Sequence, residues 1–290
     1  MVIGLESKKI FVDQGRMDYA RIDVLLRETS KILPQHEVRQ LLAYALGTDL
    51  SELIKDGEVE VDPREFRGLV KRRMAQEPLQ LILGSAGFWD FDVEVSRDTL
   101  IPRADSESLV EAALAACPQA TGRVVDLGIG TGCLLLAFLR ERPGWSGVGV
   151  DLSPAAVALA GRNARRAGVD DRTVLIAGSW GEALAGGFNL VLSNPPYIPH
   201  FHIARLASEV RDWEPSRALD GGADGFDAYR RILDDLPRLM VPGGVAVVEL
   251  GIGQASDVAM MARIEGLLVD AIRPDLAGIE RAIVLRSRLR

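Results

Sequence analysis

The sequence predicts an α/β protein: a mostly parallel, seven-stranded sheet covered by helices, preceded by a small all-helical domain and joined to it by a β-hairpin. Three observations carry this expectation. From Thr121 onward, short β-rich runs alternate with helical ones, as in chained strand-helix-strand units. Between Met17 and Gln76, apolar residues recur at three- and four-residue intervals, without strand-like alternation. The stretch Gly84 to Glu107 changes character to glycines, aromatics and a brief alternation in FDVEV, which reads as a short strand pair.

The N-terminal text divides into DYARIDVLLRETSKIL, PQHEVRQLLAYALG and DPREFRGLVKRRMAQ, and four short helices are expected in all. Pro34 suits a helix start, Gly47 a helix end, and Asp62-Pro63 an N-cap followed by a first-turn proline. Residues 1–83 are therefore read as a helical domain, 84–107 as the hairpin linker and 108–290 as the sheet domain. The expected strands are RVVDLG, GVGVDLS, TVLIAGS, FNLVLS, GVAVVEL, LLVDAI and RAIVLR, and neither an internal repeat nor a low-complexity segment interrupts them.

Composition narrows the function classes. The chain has 290 residues, 48% hydrophobic and 26% charged, enough apolar material for a sizeable core and too much for a disordered chain. A formal net charge of -7 argues against a global preference for nucleic acid or anionic lipid, although a local basic patch stays open. Up to Ser85 there are 13 Lys and Arg against 14 Asp and Glu, so the acidity lies in the sheet domain. Two cysteines, Cys117 and Cys133, make no disulfide framework and fit a reducing compartment. The opening MVIGLESKKIFVDQ lacks a sustained apolar core, and no stretch approaches the roughly 18–20 apolar residues of a membrane span. A cytoplasmic protein, neither exported nor membrane-embedded, is expected.

The run VVDLGIGTGCLLLAFLRE sets a buried strand, then Gly128, Gly130 and Gly132, then a helix. Glycines there let backbone approach a ligand, and the helix start offers free N–H groups, although a purely structural turn also uses glycine. Asp151 ends the next strand about twenty residues on, where a carboxylate can accept both hydroxyls of a ribose. A nicotinamide dinucleotide and S-adenosylmethionine both fit this arrangement. The spacing is GxGxG rather than GxGxxG, because the third position falls on Cys133. Asp126, just before the turn, would repel a pyrophosphate and attract a cationic amine. Both features favour S-adenosylmethionine, while a strand-end acid or turn cap remains the plain alternative for Asp126.

After the fourth strand comes Asn194-Pro195-Pro196-Tyr197, at the same carboxyl edge of the sheet. Two prolines stiffen the segment and remove two N–H donors, leaving carbonyl acceptors beside an asparagine amide and an aromatic ring. Such a ledge suits a planar NH2 group; its rival is a proline-rich turn closing a buried strand. His200 and His202 follow without a metal-ligand pattern and are read as solvated loop residues, and no metal is expected.

Together DLGIGTG, Asp151 and NPPY resemble the class I S-adenosylmethionine-dependent methyltransferases with a Rossmann-like sheet. More narrowly, EPLQLILGSAGFWDFDVEVSRDTLIPRADSE and WEPSRALDGGADG are similar to the PrmC/HemK family, the protein-glutamine methyltransferases of class I peptide chain release factors. The resemblance implies that the methyl group of S-adenosylmethionine passes to the glutamine amide of a Gly-Gly-Gln motif, leaving S-adenosylhomocysteine. It implies a small helical domain that contacts the release factor. It also implies roles: Asp126, Gly128, Ile129, Gly130, Thr131 and Gly132 along the methionine and adenosine, Asp151 on the ribose, and Trp180 beside the adenine. Asn194 serves both ligands, Asn194 and Pro195 accept from the glutamine amide with Pro196 beside them, and Tyr197 packs on the amide plane. A core position competes with that role for Trp180. The chain departs from the family in IPRADSE, where IPRPDTE is usual, and in Leu81-Ile82, where a tyrosine usually precedes the isoleucine; both bear on substrate contacts rather than on the reaction.

Rival readings share the chemistry. An adenine-amino DNA methyltransferase also uses NPPY on a flipped base, but it needs a basic surface or a target-recognition domain, whereas this chain is acidic and its extra part is a near-neutral helical domain. A ribosomal-protein glutamine methyltransferase differs only in substrate, and a non-enzymatic scaffold would not need both the glycine turn and the ledge.

Overall fold

The computed structural model describes residues 19–49 and 59–288. These fall into two compact units that divide between Leu79 and Gln80.

Among its described residues, the first unit holds the helices α1 (Ile22–Thr29), α2 (Gln35–Leu46) and α3 (Arg64–Met74). Pro34 caps α2, and Gly47 ends it in the left-handed region at φ 62°. Helix α3 starts one residue later than expected: Pro63 is its cap, and the Asp62 carboxylate accepts the Arg64 N–H at 3.0 Å. Val38, Leu41 and Leu42 of α2 and Phe66, Leu69 and Val70 of α3 are buried, each triplet at i, i+3, i+4, so one stripe per helix makes the core. Arg73 and Glu37, both nearly buried, pair at 2.6 Å and tie α3 to α2. The pairing of β1 (Ala20–Arg21) with β2 (Glu60–Val61) was not expected; at two residues each, these strands are too short for any alternation to register. Part of the anticipated helical text, before residue 19 and over 50–58, lies outside the described residues.

The second unit takes in all but the first residue of a short helix, α4 (Leu79–Leu83), and then the antiparallel hairpin β3 (Ser85–Phe88) and β4 (Phe91–Glu94). The hairpin is anchored to the sheet domain: the Asn163 amide exchanges two hydrogen bonds with the Glu94 backbone and gives a third to the Thr131 carbonyl. Helix α5 (Glu107–Ala116) leads into seven strands, β5 (Thr121–Leu127), β6 (Gly144–Asp151), β7 (Thr173–Ala177), β8 (Phe188–Ser193), β9 (Met240–Glu249), β10 (Leu268–Pro274) and β11 (Glu280–Arg286). Their order is β10-β11-β9-β8-β5-β6-β7; all neighbours from β9 to β7 are parallel, and β11 is antiparallel to both its partners.

The longer helices between strands are α6 (Cys133–Glu141), α7 (Pro154–Ala167), α10 (Asp227–Leu239) and α11 (Ala255–Ile264), with the single turns α8 (His200–Ile203) and α9 (Ser208–Arg211) after β8. Alternate residues of the central strands feed opposite faces. Val124, Leu190, Leu192, Val245 and Val247 pack with α5, α6 and α7, whereas Val125, Val191, Ala246 and Val248 pack with α10 and α11. Burial on both faces is why these strands read as continuous apolar runs. Among the described residues, no helix is long and apolar enough to cross a membrane.

Candidate active site

The carboxyl ends of β5, β6 and β8 converge on one cleft, at the switch point where the chain turns from β5-β6-β7 to β8-β9. After β5, the turn is stitched to β6 by the Gly128 and Ile129 N–H groups, which both donate to the Val150 carbonyl, at 2.8 and 2.9 Å. Gly128 and Gly132 have φ of 79° and 86°, a region L side chains avoid. Gly132 borders no part of the cleft; its left-handed conformation starts α6. The Ile129 side chain is buried against Gly149, where a Cβ would meet its Cδ1 at 2.0 Å, so Ile129 packs the core while its residue edges the cleft. Thr131, 2% exposed, lies beside it.

Two acidic residues face this turn. Asp151 accepts from the Gly130 N–H at 2.9 Å and from the Ser153 N–H at 2.8 Å, which fixes its carboxylate at the cleft wall. Asp126 is 1% exposed, and its Oδ1 makes no hydrogen bond. Burial, reinforced by the negative charge of Asp151 and opposed by the Leu135 N–H, pushes the Asp126 carboxyl up to about 7. An orphaned buried acceptor is costly unless a ligand meets it.

The cleft has two adjoining chambers whose walls share Leu100, Gly128, Gly130 and Asn194. The first, the more enclosed, runs past Asp151, Leu152, Trp180 and Pro196; the second is walled by Asp126, Thr131, Pro102 and Arg103. Trp180, at φ 43°, borders the first chamber near Gly128 and also packs on the α10 side of the core.

In the NPPY segment, Asn194 borders both chambers and its Nδ2 donates to Ser106 Oγ at 3.2 Å. Pro196 borders the first chamber, whereas Pro195 is buried and borders neither. The Tyr197 hydroxyl donates to Glu249 Oε1 at 3.1 Å, its ring packs with the α10 and α11 core, and it too borders neither chamber. The Tyr197 carbonyl accepts from Gln254 Nε2 at 3.1 Å, which holds the segment's backbone. His200 is exposed, its Nδ1 2.6 Å from Asp220, and no cluster of potential metal ligands occurs among the described residues.

Several residues at the site carried no local signal. Glu214, with its side chain 1% exposed, pairs with Arg103 and accepts the Ile101 N–H at 3.1 Å. Arg217 donates to the Asp98 carbonyl at 2.8 Å and to Ser153 Oγ at 3.0 Å. The tract WEPSRALDGGADG thereby pins residues 98–103 over the cleft. Only the quoted tract itself hinted at this, because the partners lie more than a hundred residues away in the chain.

Two family models match, the Methyltransferase small domain over residues 104–209 and the PrmC N-terminal domain over residues 21–84. A release factor glutamine methyltransferase of Rhodospirillum rubrum is 46% identical over 258 residues, 88% of this chain and 79% of that protein. Another, of Bradyrhizobium diazoefficiens, is 41% identical over 283 residues, 93% of this chain and 95% of that protein. Among solved structures, a methyltransferase from Pyrococcus furiosus aligns at a TM-score of 0.54 with 15% identity, over 79% of this chain and all of that one. A Thermus thermophilus 16S rRNA methyltransferase, solved with AdoMet and guanosine, aligns at 0.50 with 19% identity, over 71% of this chain and 50% of that one. These structures share the fold, and the sequence relatives settle the lineage: the chain belongs to the family of release factor glutamine methyltransferases.

Proposed function

We propose that the chain transfers a methyl group from S-adenosylmethionine to the side-chain amide nitrogen of the glutamine in the Gly-Gly-Gln motif of class I peptide chain release factors, in the cytoplasm. The observation that carries the reading is Asn194, which borders both chambers, the one that holds the unpartnered Asp126 Oδ1 and the one that runs past Asp151 and Pro196.

The residues fit the cofactor: a buried acceptor without a partner suits the methionyl amine, Asp151 suits the ribose, backbone at Gly128 and Gly130 permits close approach, and Trp180 offers a flat face to a purine. When bound, S-adenosylmethionine supplies an electrophilic methyl group on a sulfonium, and its departure as a neutral thioether calls for no general acid. An amide nitrogen is a poor nucleophile because its lone pair is delocalised into the carbonyl. The Asn194 side-chain oxygen and the backbone carbonyl of Pro195, whose ring is buried behind the ledge, accept its two N–H bonds, raise electron density on nitrogen and hold it in line with the methyl group. Methyl transfer would form the N–C bond as the S–C bond breaks, and the proton then lost from the amide nitrogen would pass to solvent. The helical unit, residues up to about 83, recognises the release factor, and 84–107 connects it to the catalytic part. Neither nucleic acid nor membrane is a direct partner.

The test is incubation with labelled S-adenosylmethionine and purified release factor, with the label mapped by mass spectrometry. Label on the Gly-Gly-Gln glutamine supports the reading. Label only on a ribosomal protein, or on DNA adenine, would replace it.

A further inference from the structure

Glu249 ends β9, is 3% exposed, and has no part in the chemistry above. Hydroxyl groups engage both its carboxyl oxygens: Ser106 Oγ donates to Oε2 at 2.5 Å and Tyr197 to Oε1 at 3.1 Å. Ser106, in the single turn Ala104–Ser106, also receives the Asn194 Nδ2 donor at 3.2 Å. Three distant stretches of chain thus form one hydrogen-bonded line that ends on the amide of Asn194.

The direction of that line follows from proton counting. A serine hydroxyl carries one proton and a carboxylate carries none. With its proton committed to Glu249, Ser106 can only accept from Asn194, so the Asn194 NH2 turns toward Ser106 and the carbonyl oxygen turns away. An asparagine amide is nearly symmetric in shape, and the flipped form would set a donor where an acceptor is needed. We propose that Ser106 and Glu249 are positioning residues that fix the Asn194 amide so that its oxygen meets the substrate nitrogen, which makes them determinants of selectivity for glutamine over glutamate. The inference rests on the reading of Asn194 as an N–H acceptor.

A pH signature accompanies it. Burial holds the Glu249 carboxyl above the usual carboxylate range, against the Ser106 and Tyr197 hydrogen bonds and the charge of Arg281 on β11, while Asp105 adds to the rise. Tyr229 of α10 donates to the Glu249 backbone carbonyl. Once protonated toward Ser106, Glu249 donates, the serine proton turns to Asn194, and the line reverses.

The experiment uses the full-length chain, a release factor, and the same factor carrying Gly-Gly-Glu as a competitive inhibitor. Ser106→Ala should lower kcat and the preference for the glutamine protein over the glutamate protein, each roughly tenfold, because a site no longer held to one polarity stops rejecting an acceptor-only group. Its cofactor Kd, measured by calorimetry, should stay within about twofold, because Ser106 binds no part of the cofactor in this reading. Ser106→Thr, which keeps the hydroxyl, should restore both kcat and preference, and Glu249→Gln should erase the acidic limb of kcat at saturating cofactor. Equal losses in Ser106→Ala and Ser106→Thr, or undiminished preference in Ser106→Ala, would overturn the proposal. If the unaltered protein failed to methylate the release factor at all, the functional reading would fall instead.

Discussion

Replacing Asp126 with asparagine should make the cofactor-free protein more stable while weakening its hold on S-adenosylmethionine. The carboxyl is raised from its ordinary 3.8 to about 7 by burial and by Asp151. Because the folded pKa lies above the unfolded one, the folded state binds more protons between those values, so this residue favours folding most below pH ~4 and progressively less as pH rises to about 7. A shift of about three units at ~1.4 kcal/mol each puts the cost of the buried charge near 4 kcal/mol at pH 7.5 and near 1 kcal/mol at pH 4.5. Asp126→Asn removes that cost, so thermal melts should show a clear gain over the unaltered protein at pH 7.5 and little at pH 4.5. Binding should move the other way. As the ionised fraction of Asp126 drops from about half at pH 7 to about 3% at pH 5.5, cofactor affinity should fall roughly fifteenfold, whereas the variant should bind weakly with a flat profile over that range. Calorimetry across that interval is the assay. A variant less stable than the parent at pH 7.5, or a parent whose affinity ignores pH, would refute the assignment of Asp126 to a cationic ligand.

Other outcomes are expected from the same geometry. Asn194→Ala should cost roughly 10²-fold or more in turnover with little change in cofactor affinity, as befits a preorganised polar contact used in the transition state; near-normal methylation of a release factor would contradict it. Asp151→Ala should weaken cofactor binding by about 1.5–3 kcal/mol, the range for hydrogen bonds to a charged group, and calorimetry returning an unchanged Kd would move the ribose partner elsewhere. Leu41 is fully buried in the helical unit, so Leu41→Ala should destabilise that unit by about 2–5 kcal/mol. Methylation of whole release factor should then drop steeply while cofactor Kd and any activity on a short Gly-Gly-Gln peptide hold, and equal losses on both substrates would end the division of labour between the units.

What the sequence by itself determined is whatever local physics controls. The central strands were legible because residues buried on both faces of a parallel sheet must be apolar in unbroken runs, as in FNLVLS and GVAVVEL. The turn at Gly128 to Gly132 was legible because positive φ selects glycine, and Asp126, Asp151 and NPPY were legible because each sits at a strand end whose direction a parallel sheet imposes. Sequence could not say where side chains finish. Tyr197 was expected to face the substrate, yet its hydroxyl rests on Glu249, which in GVAVVEL looked like an ordinary strand-end acid. Ser106 and Glu249 are 143 residues apart, and Arg103 and Glu214 are 111 apart. Only the strand order, which sets β8 between β5 and β9, brings the glycine turn, the NPPY ledge and Glu249 to one edge. The physical reason is that a buried charge takes its character from its partners, and those partners are chosen by how layers pack rather than by the residues beside it in the chain.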